Sequence, residues 1–438
     1  MIALQLAVVL AAILIGARLG GVGLGVMGGL GLALLTFVFH LRPTTAPIDV
    51  LLMILSVITA AGCLQAAGGM DWLVRVAERL LRRNPKRITL FAPLVTYTFT
   101  LFAGTGHVAY SVLPVIAEVA RDSGVRPERP LSIAVIASQV GITASPISAA
   151  TVTLLAMLAP SGVGLSQILL VAIPATLLGV FAGVLVAGRL GVELADDPVY
   201  LARLASGEIS PSQPPESRPA LPRSAVTSVI VFLLAALSVV VLGSVDSLRP
   251  QWQVGGQLVK LDMPTAIEII MLSAAALILL LGRVDADKVV RGSVFRAGAA
   301  AVIGIFGIAW MGDTFIQANM ALFSAEIKTI ITEVPWLFAL ALFVMSILLY
   351  SQAATIRALM PLGIALGLPA PALIAMFPSE NGYFFIPNYP TVIAAINFDQ
   401  TGTTRIGRWL LNHSFMLPGL ACSVVSVAAG FGLVKLVF

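Results

Sequence analysis

GITASPISAATV, residues 141–152, is the stretch whose reading decides how this chain folds. It places Thr143, Ser145, Pro146 and Ser148 together, and a proline flanked by hydroxyls ordinarily marks a turn at a protein surface. The flanks say otherwise: LSIAVIASQV before and TLLAMLA after are sequences suited to hydrocarbon. Irregular backbone cannot face lipid, because each unpaired N–H or C=O there costs several kcal/mol. It persists only where protein or a water-filled cavity surrounds it.

The composition supports a membrane setting. Of 438 residues, 58% are hydrophobic and 11% charged, against about 25% charged in soluble domains; the mean hydropathy is +1.00. Apolar runs near 2–17, 20–39, 47–66, 88–104, 163–188, 224–244, 264–282, 297–312, 335–350 and 409–434 have lengths near the roughly 20 residues a helix needs to cross a bilayer. With the shorter runs between them, they predict an all-α polytopic membrane protein of ten to twelve crossing or half-crossing segments. The first run has no basic residue before it and Arg18 after it, which predicts a retained helix with its N-terminus outside, on the periplasmic face.

Several function classes recede. The net charge of +5 needs no nucleic-acid partner, since cytoplasmic loops of membrane proteins carry excess Lys and Arg. Cys63 and Cys422 lie far apart in apolar segments and suggest neither a disulfide nor a metal site. His40, His107 and His413 offer no HExxH spacing, and there is no GxSxG elbow, so an enzyme is not expected and no cofactor is implied. The glycine-rich GARLGGVGLGVMGGLG (16–31) follows no strand and reads as tight helix packing or a dimer contact.

The chain divides in two. Residues 191–223 are polar, hold six prolines and read as a cytoplasmic linker between a first half, 1–190, and a second, 224–438. Residues 130–146 align without gaps on 371–387, pairing Pro130 with Pro371, Ser138 with Ser379, Gly141 with Gly382 and Pro146 with Pro387. Upstream, Leu113–Pro114 faces Met360–Pro361 and Pro85 faces Pro335. The loop at 72–87 carries six Lys or Arg while its counterpart near 316–334 carries only Lys328. Basic loops stay in the cytoplasm, so equivalent loops lie on opposite faces, the pattern of an inverted-repeat secondary transporter.

In such transporters paired interrupted segments meet near the midplane, where exposed N–H groups at half-helix starts favour an anion. The stretches 143–148 and 386–391 are accordingly expected as two re-entrant hairpin tips forming one substrate site. Thr143, Ser145, Ser148 and Thr151 in the first, and Asn381, Asn388, Tyr389 and Thr391 in or before the second, are the expected ligand-facing groups. The plainer alternative is a pair of kinked packed helices whose Ser and Thr satisfy the freed carbonyls. Intramembrane polar residues are candidates by default. Arg357 could pair with a carboxylate or snorkel at a loop end, and His107, Glu380 and Asp399, with Asp313, are candidate coupling or structural groups.

The blocks GARLGG (16–21), AGGMDWL (67–73), LRRNPK (81–86), FAGTG (102–106), LPVIAEVA (113–120), ITASPISAA (142–150), NGYFFIP (381–387), FDQTGTTRIG (398–407) and NHSF (412–415) together resemble the anaerobic C4-dicarboxylate transporters of bacterial inner membranes. The resemblance covers nearly the whole chain except the linker. It implies uptake or antiport of fumarate, malate, aspartate and succinate, typically with succinate leaving. It also implies a fold similar to the wider ion-transporter superfamily, a scaffold with a moving part, and by analogy a homodimer. A dicarboxylate-sensing histidine kinase is a further implied partner, with Asp399 and Thr401 implied in regulation or transport. A transporter of another small organic anion, a membrane-embedded regulator and a channel are the competing readings.

Overall fold

The computed structural model describes residues 1–19, 22–46, 48–209, 221–319, 334, 336–349, 351–387, 389–407 and 411–438. In chain order the first half comprises α1 (Ile2–Leu19), α2 (Gly23–Ala33), which runs into a π-helical turn at Leu34–Val38, α3 (Ile48–Ala66), α4 (Gly69–Arg83), α5 (Ile88–Ala103), α6 (Ala109–Asp122), α7 (Glu128–Ala144), α8 (Ala149–Leu158) and α9 (Leu165–Ala187). After α10 (Pro198–Ala205) come α11 (Arg223–Ser244), a hairpin of β1 (Gln251–Val254) and β2 (Gln257–Lys260), α12 (Met263–Gly282), α13 (Ala286–Arg291) and α14 (Ser293–Ala318). The chain ends with α15 (Trp336–Leu349), α16 (Gln352–Ala365), α17 (Ala370–Met376), α18 (Pro390–Phe398) and α19 (Met416–Val437).

Among the described residues six helices are long and apolar enough to cross a bilayer, or up to seven if α3 and α4, bent by 71°, form one span. The ten to twelve segments expected from the sequence include shorter apolar runs, several of which the fold uses as pieces of interrupted helices. Leucines and valines exposed along α9, α11 and α12 mark faces turned outward, as a lipid-facing surface requires. The glycine-rich stretch serves packing within the chain: an added Cβ at Gly25 would fall 1.9 Å from the Ile303 carbonyl oxygen of α14.

Chain direction through the breaks follows from a few contacts. Arg82, ending α4, bonds Glu118 of α6 at 2.6 Å. Because α5 starts just after Arg82 and α6 ends just after Glu118, the two helices turn back on each other. The reversal sits at Gly104, whose φ of +69° suits a residue without Cβ. In the second half an added Cβ on Gly363 of α16 would lie 2.8 Å from the Phe338 ring of α15, so these helices also turn back, between Leu349 and Gln352.

The SPIS break behaves differently. Residues 128–161 form one 34-residue candidate span through α7 and α8, and α9 returns beside it, with Arg129 Nε donating to the Leu190 carbonyl at 2.9 Å and Ile133 against Gly183. In the second half Ala375 lies against Gly430 of α19, Phe384 against Gly419, and Gln400, past α18, accepts from Arg121 at 2.7 Å. These contacts step steadily toward the end of the molecule that carries Arg82, Arg121 and Arg126. Both stretches expected as hairpin tips are therefore breaks at which the chain runs on. Proline removes one N–H and ends a helix without forcing a reversal, whereas the positive-φ glycine at 104 provides one. The Glu128 N–H donates to Thr403 Oγ1 at 3.2 Å, so α7 begins where α18 ends and the two interrupted segments run in opposite directions.

The polar linker is partly built into this basic end. Asp197 caps α10, accepting from the Val199 and Tyr200 N–H groups at 2.9 and 3.0 Å, and its other oxygen pairs with the buried Arg126. Arg126 also holds Glu128 at 2.6 Å, while Arg203 of α10 donates to the Gln400 carbonyl at 3.0 Å. Arg126 and the two N–H groups hold the Asp197 carboxyl below its ordinary value against the opposing effect of burial. A carboxyl with a lowered folded pKa stabilises above its unfolded pKa of about 3.9 and loses that contribution as pH falls through the folded value. Acidification below about pH 4 should thus loosen α10, read as faster protease cleavage within 191–223. Asp197→Asn should produce the same loosening at neutral pH, with a loss of about 2–3 kcal/mol in detergent melting, between the limits for exposed and buried pairs.

Candidate functional site

The four interruptions converge. On the first crossing, Thr143 of α7 donates its hydroxyl to Glu380 Oε1 at 3.2 Å and accepts from Asn381 Nδ2 at 2.9 Å. Asn381 also donates to the Pro378 carbonyl at 3.1 Å, which fixes its amide orientation. Gln352, the first residue of α16 at the second turn-back, donates Nε2 both to Asn381 Oδ1 and to Gln139 Oε1 of α7, each at 3.2 Å. The first turn-back completes the ring: an added Cβ on Gly106 would meet Gln139 Nε2 at 2.3 Å, and one on Gly104 would lie 3.1 Å from the Ile147 carbonyl. All five side chains of this network are buried, in a chain whose surroundings are otherwise apolar.

Local sequence explains why these groups are available. Helix α7 stops at Ala144 because Pro146 cannot continue its hydrogen-bond ladder. Ser148 restarts it as the cap of α8, accepting from the Thr151 N–H at 3.1 Å. Thr151 in turn donates to the freed carbonyls of Ile142 and Thr143 at 3.3 and 3.1 Å. Ser148 and Thr151 are thus committed to the break itself, which matches the helix-kink alternative for those two residues. Ser145 is buried and its hydroxyl accepts from the Ile147 N–H at 3.4 Å. In the second interrupted segment Pro378 lies within the first of two short 3₁₀ turns and Pro387 follows the second, and Gly382 N–H donates to Ser346 of α15 at 2.8 Å.

The remaining expected residues fall into three groups. Arg357 is buried on α16, one and a half turns beyond Gln352, with Nε and Nη2 lacking a hydrogen-bond partner among the described residues; Asp313 of α14 acts on it electrostatically. Glu380 Oε2 and the hydroxyls of Tyr383 and Thr391 are likewise buried without a partner among the described residues. Thr391 lies in the first turn of α18, and the rings of Tyr383 and Tyr389 stand 4.7 Å apart. Asp399 lies apart from the network. Its carboxylate accepts from Thr401 N–H and Oγ1, from Thr403 Oγ1 at 2.8 Å and from Thr404 N–H at 2.6 Å. Asn388 and the His107 side chain lie outside the described residues.

Sequence reasoning missed Gln139 and Gln352. Each is an amide inside an apolar helical run, ASQV and YSQAAT, and each belongs to the intramembrane polar groups that merit weighing. Also unforeseen was the β1–β2 hairpin, for which Gly255–Gly256 between QWQV and QLVK is an adequate signal.

Comparisons with known proteins bear on this arrangement. The family model described as anaerobic C4-dicarboxylate membrane transporter matches residues 1–438. The chain is 44% identical over 431 residues to a Wolinella succinogenes protein named C4-dicarboxylate transporter DcuA, covering 98% of both chains. It is 44% identical over 434 residues to the Escherichia coli protein of the same name, again with 98% of each covered. These names denote a transporter, a non-enzymatic function. Among solved structures, the Alcanivorax borkumensis YdaH transporter superposes with a TM-score of 0.56 at 17% identity, covering 95% of this chain and 98% of that one, a likeness of fold.

Thr143→Val removes one donor and one acceptor at once while keeping the side-chain volume. It should lower the melting temperature of the detergent-solubilised protein by a loss of about 1–3 kcal/mol, because Glu380 and Asn381 each lose a buried partner. Thr143→Ser, which keeps the hydroxyl, should lose well under half of that.

Proposed function

The chain belongs to the anaerobic C4-dicarboxylate membrane transporter family, and from that membership we propose that it is a secondary transporter of C4-dicarboxylates, exchanging an incoming fumarate, malate or aspartate for outgoing succinate across a bacterial inner membrane. One observation carries the reading at the level of the site: the buried network of Thr143, Glu380, Asn381, Gln352 and Gln139, which joins two oppositely directed interrupted crossings. Irregular backbone at membrane depth is tolerated where it lines a binding cavity, and opposed, interrupted segments are how alternating-access carriers build one.

In this reading 1–190 and 224–438 are inverted repeats joined by the 191–223 linker, and the two turn-backs, α5–α6 and α15–α16, are their re-entrant hairpins. The similar order of a turn-back pair, an interrupted crossing and a closing helix in each half supports that assignment. The dianion would lie against Thr143, Ser145 and Asn381 on one side and Tyr389 and Thr391 on the other, with Asn388 a candidate from the sequence alone. The free guanidinium N–H groups of Arg357 suit a carboxylate. Ser148 and Thr151 would contribute through the α8 start they shape. Glu380, with one oxygen unpartnered, is the coupling group we favour over His107 and Asp399, because a proton or cation there would offset a carboxylate beside an anionic guest. A periplasmic N-terminus is part of the reading, supported by Arg18 following the first apolar run with no basic residue before it.

The test is counterflow. Purified protein in liposomes preloaded with succinate should take up labelled fumarate far faster than empty or sulfate-loaded liposomes. The reading fails if internal succinate gives no stimulation and no ion gradient drives uptake. A panel of other small organic anions tests the neighbouring reading, in which a different anion is carried. Arg357→Ala should raise the KM for fumarate about 10- to 100-fold, the equivalent of one charged hydrogen-bonding group, with Arg357→Lys intermediate.

A further inference from the structure

The two glutamines do more than fill space. Gln352 has one amide group with two N–H bonds, and both are used: one reaches Gln139 on the first crossing and the other Asn381 on the second. Gln139 is in turn pressed on its nitrogen side by the Gly106 backbone, where even a methyl group would not fit. A single pair of side chains thus touches the first turn-back tip, the second turn-back tip and both interrupted crossings. Gln139 is 1% exposed and Gln352 7%, so both amides lie inside the protein. Thr143 extends the network by donating to Glu380 and accepting from Asn381, while Ser346 accepts from the Gly382 N–H.

We propose that Gln139 and Gln352 are positioning residues for exchange: a two-amide junction that holds both turn-back tips and both crossings in one register, so that the substrate-facing groups of the two halves shift together. The proposal rests on the exchange reading above. Neither glutamine is assigned a contact with the dianion; they act through Asn381 and the Gly106 turn. An amide suits the task because it donates and accepts without charge, and so adds no repulsion toward an anionic guest. Gly106 belongs to the same device, since its missing side chain is what lets the first tip reach Gln139.

The experiment is a double-mutant cycle in the full-length protein. Gln139→Met, Gln352→Met and the double variant are reconstituted, and fumarate–succinate counterflow is measured per folded transporter. Each single change should lower the maximal rate about tenfold with little change in KM, and the double variant should fall no further than the worse single, because both changes remove one shared junction. Rates that multiply to about a hundredfold loss, a rise in KM at unchanged maximal rate, or melting temperatures that drop while the rate per folded molecule stays at the wild-type value would each overturn the proposal. Should the wild-type protein exchange no dicarboxylate, the transport reading alone fails, and the same cycle read on the melting of substrate-free protein decides the junction. Coupled losses uphold it; additive losses overturn it.

Discussion

A lipid interior offers no hydrogen bonds, and that single constraint organises this molecule. Every place where a helix stops at membrane depth must bring its own partners. The SPIS break does so with Ser148 capping α8 and Thr151 returning to the carbonyls of Ile142 and Thr143. The second break leans on Ser346 and on the amide of Asn381. Beyond these partners, Thr143, Glu380 and the two glutamines meet across the two interrupted segments through Asn381, whose amide serves both the break and the network.

That division separates what holds the fold from what the fold presents. Residues such as Ser148, Thr151 and Asp399 are polar and buried, yet the hydrogen bonds of their side chains stay within nine residues of their own position in the chain. Arg357, Glu380, Tyr383 and Thr391 are equally buried but keep atoms with no partner among the described residues. Buried polar groups are costly to leave unsatisfied, and these four residues are the basis on which a substrate site is proposed.

Much of this was legible in the sequence, and what was not has a definite cause. Hydropathy gave the helices and their membrane setting, because long apolar runs have few other uses. Pro146 and its partner Pro387 located the breaks, since proline announces where a ladder ends. Direction after a break was not legible: proline says that a helix stops and says nothing of where the chain goes next. The reversal instead belongs to Gly104, a residue among many glycines in this chain, whose positive φ no composition reveals. Asp399 reads in sequence like any intramembrane acid, and only the neighbouring Thr401, Thr403 and Thr404 in three dimensions identify it as the centre of a turn. Gln139 and Gln352 were hidden for another reason: they lie 213 residues apart, and their worth lies in the pairing.

Helix α10 carries a last consequence. A connector between two halves is usually a slack tether whose only duty is length. Here its first part is clasped to the ground it crosses, with Asp197 starting the helix and anchoring it in the same carboxylate. The segment is tied on two sides, its cap to Arg126 of the first half and its Arg203 to the Gln400 carbonyl of the second. A stretch that reads in sequence as a spacer is therefore, over Pro198–Ala205, a strut between residues far apart in the chain.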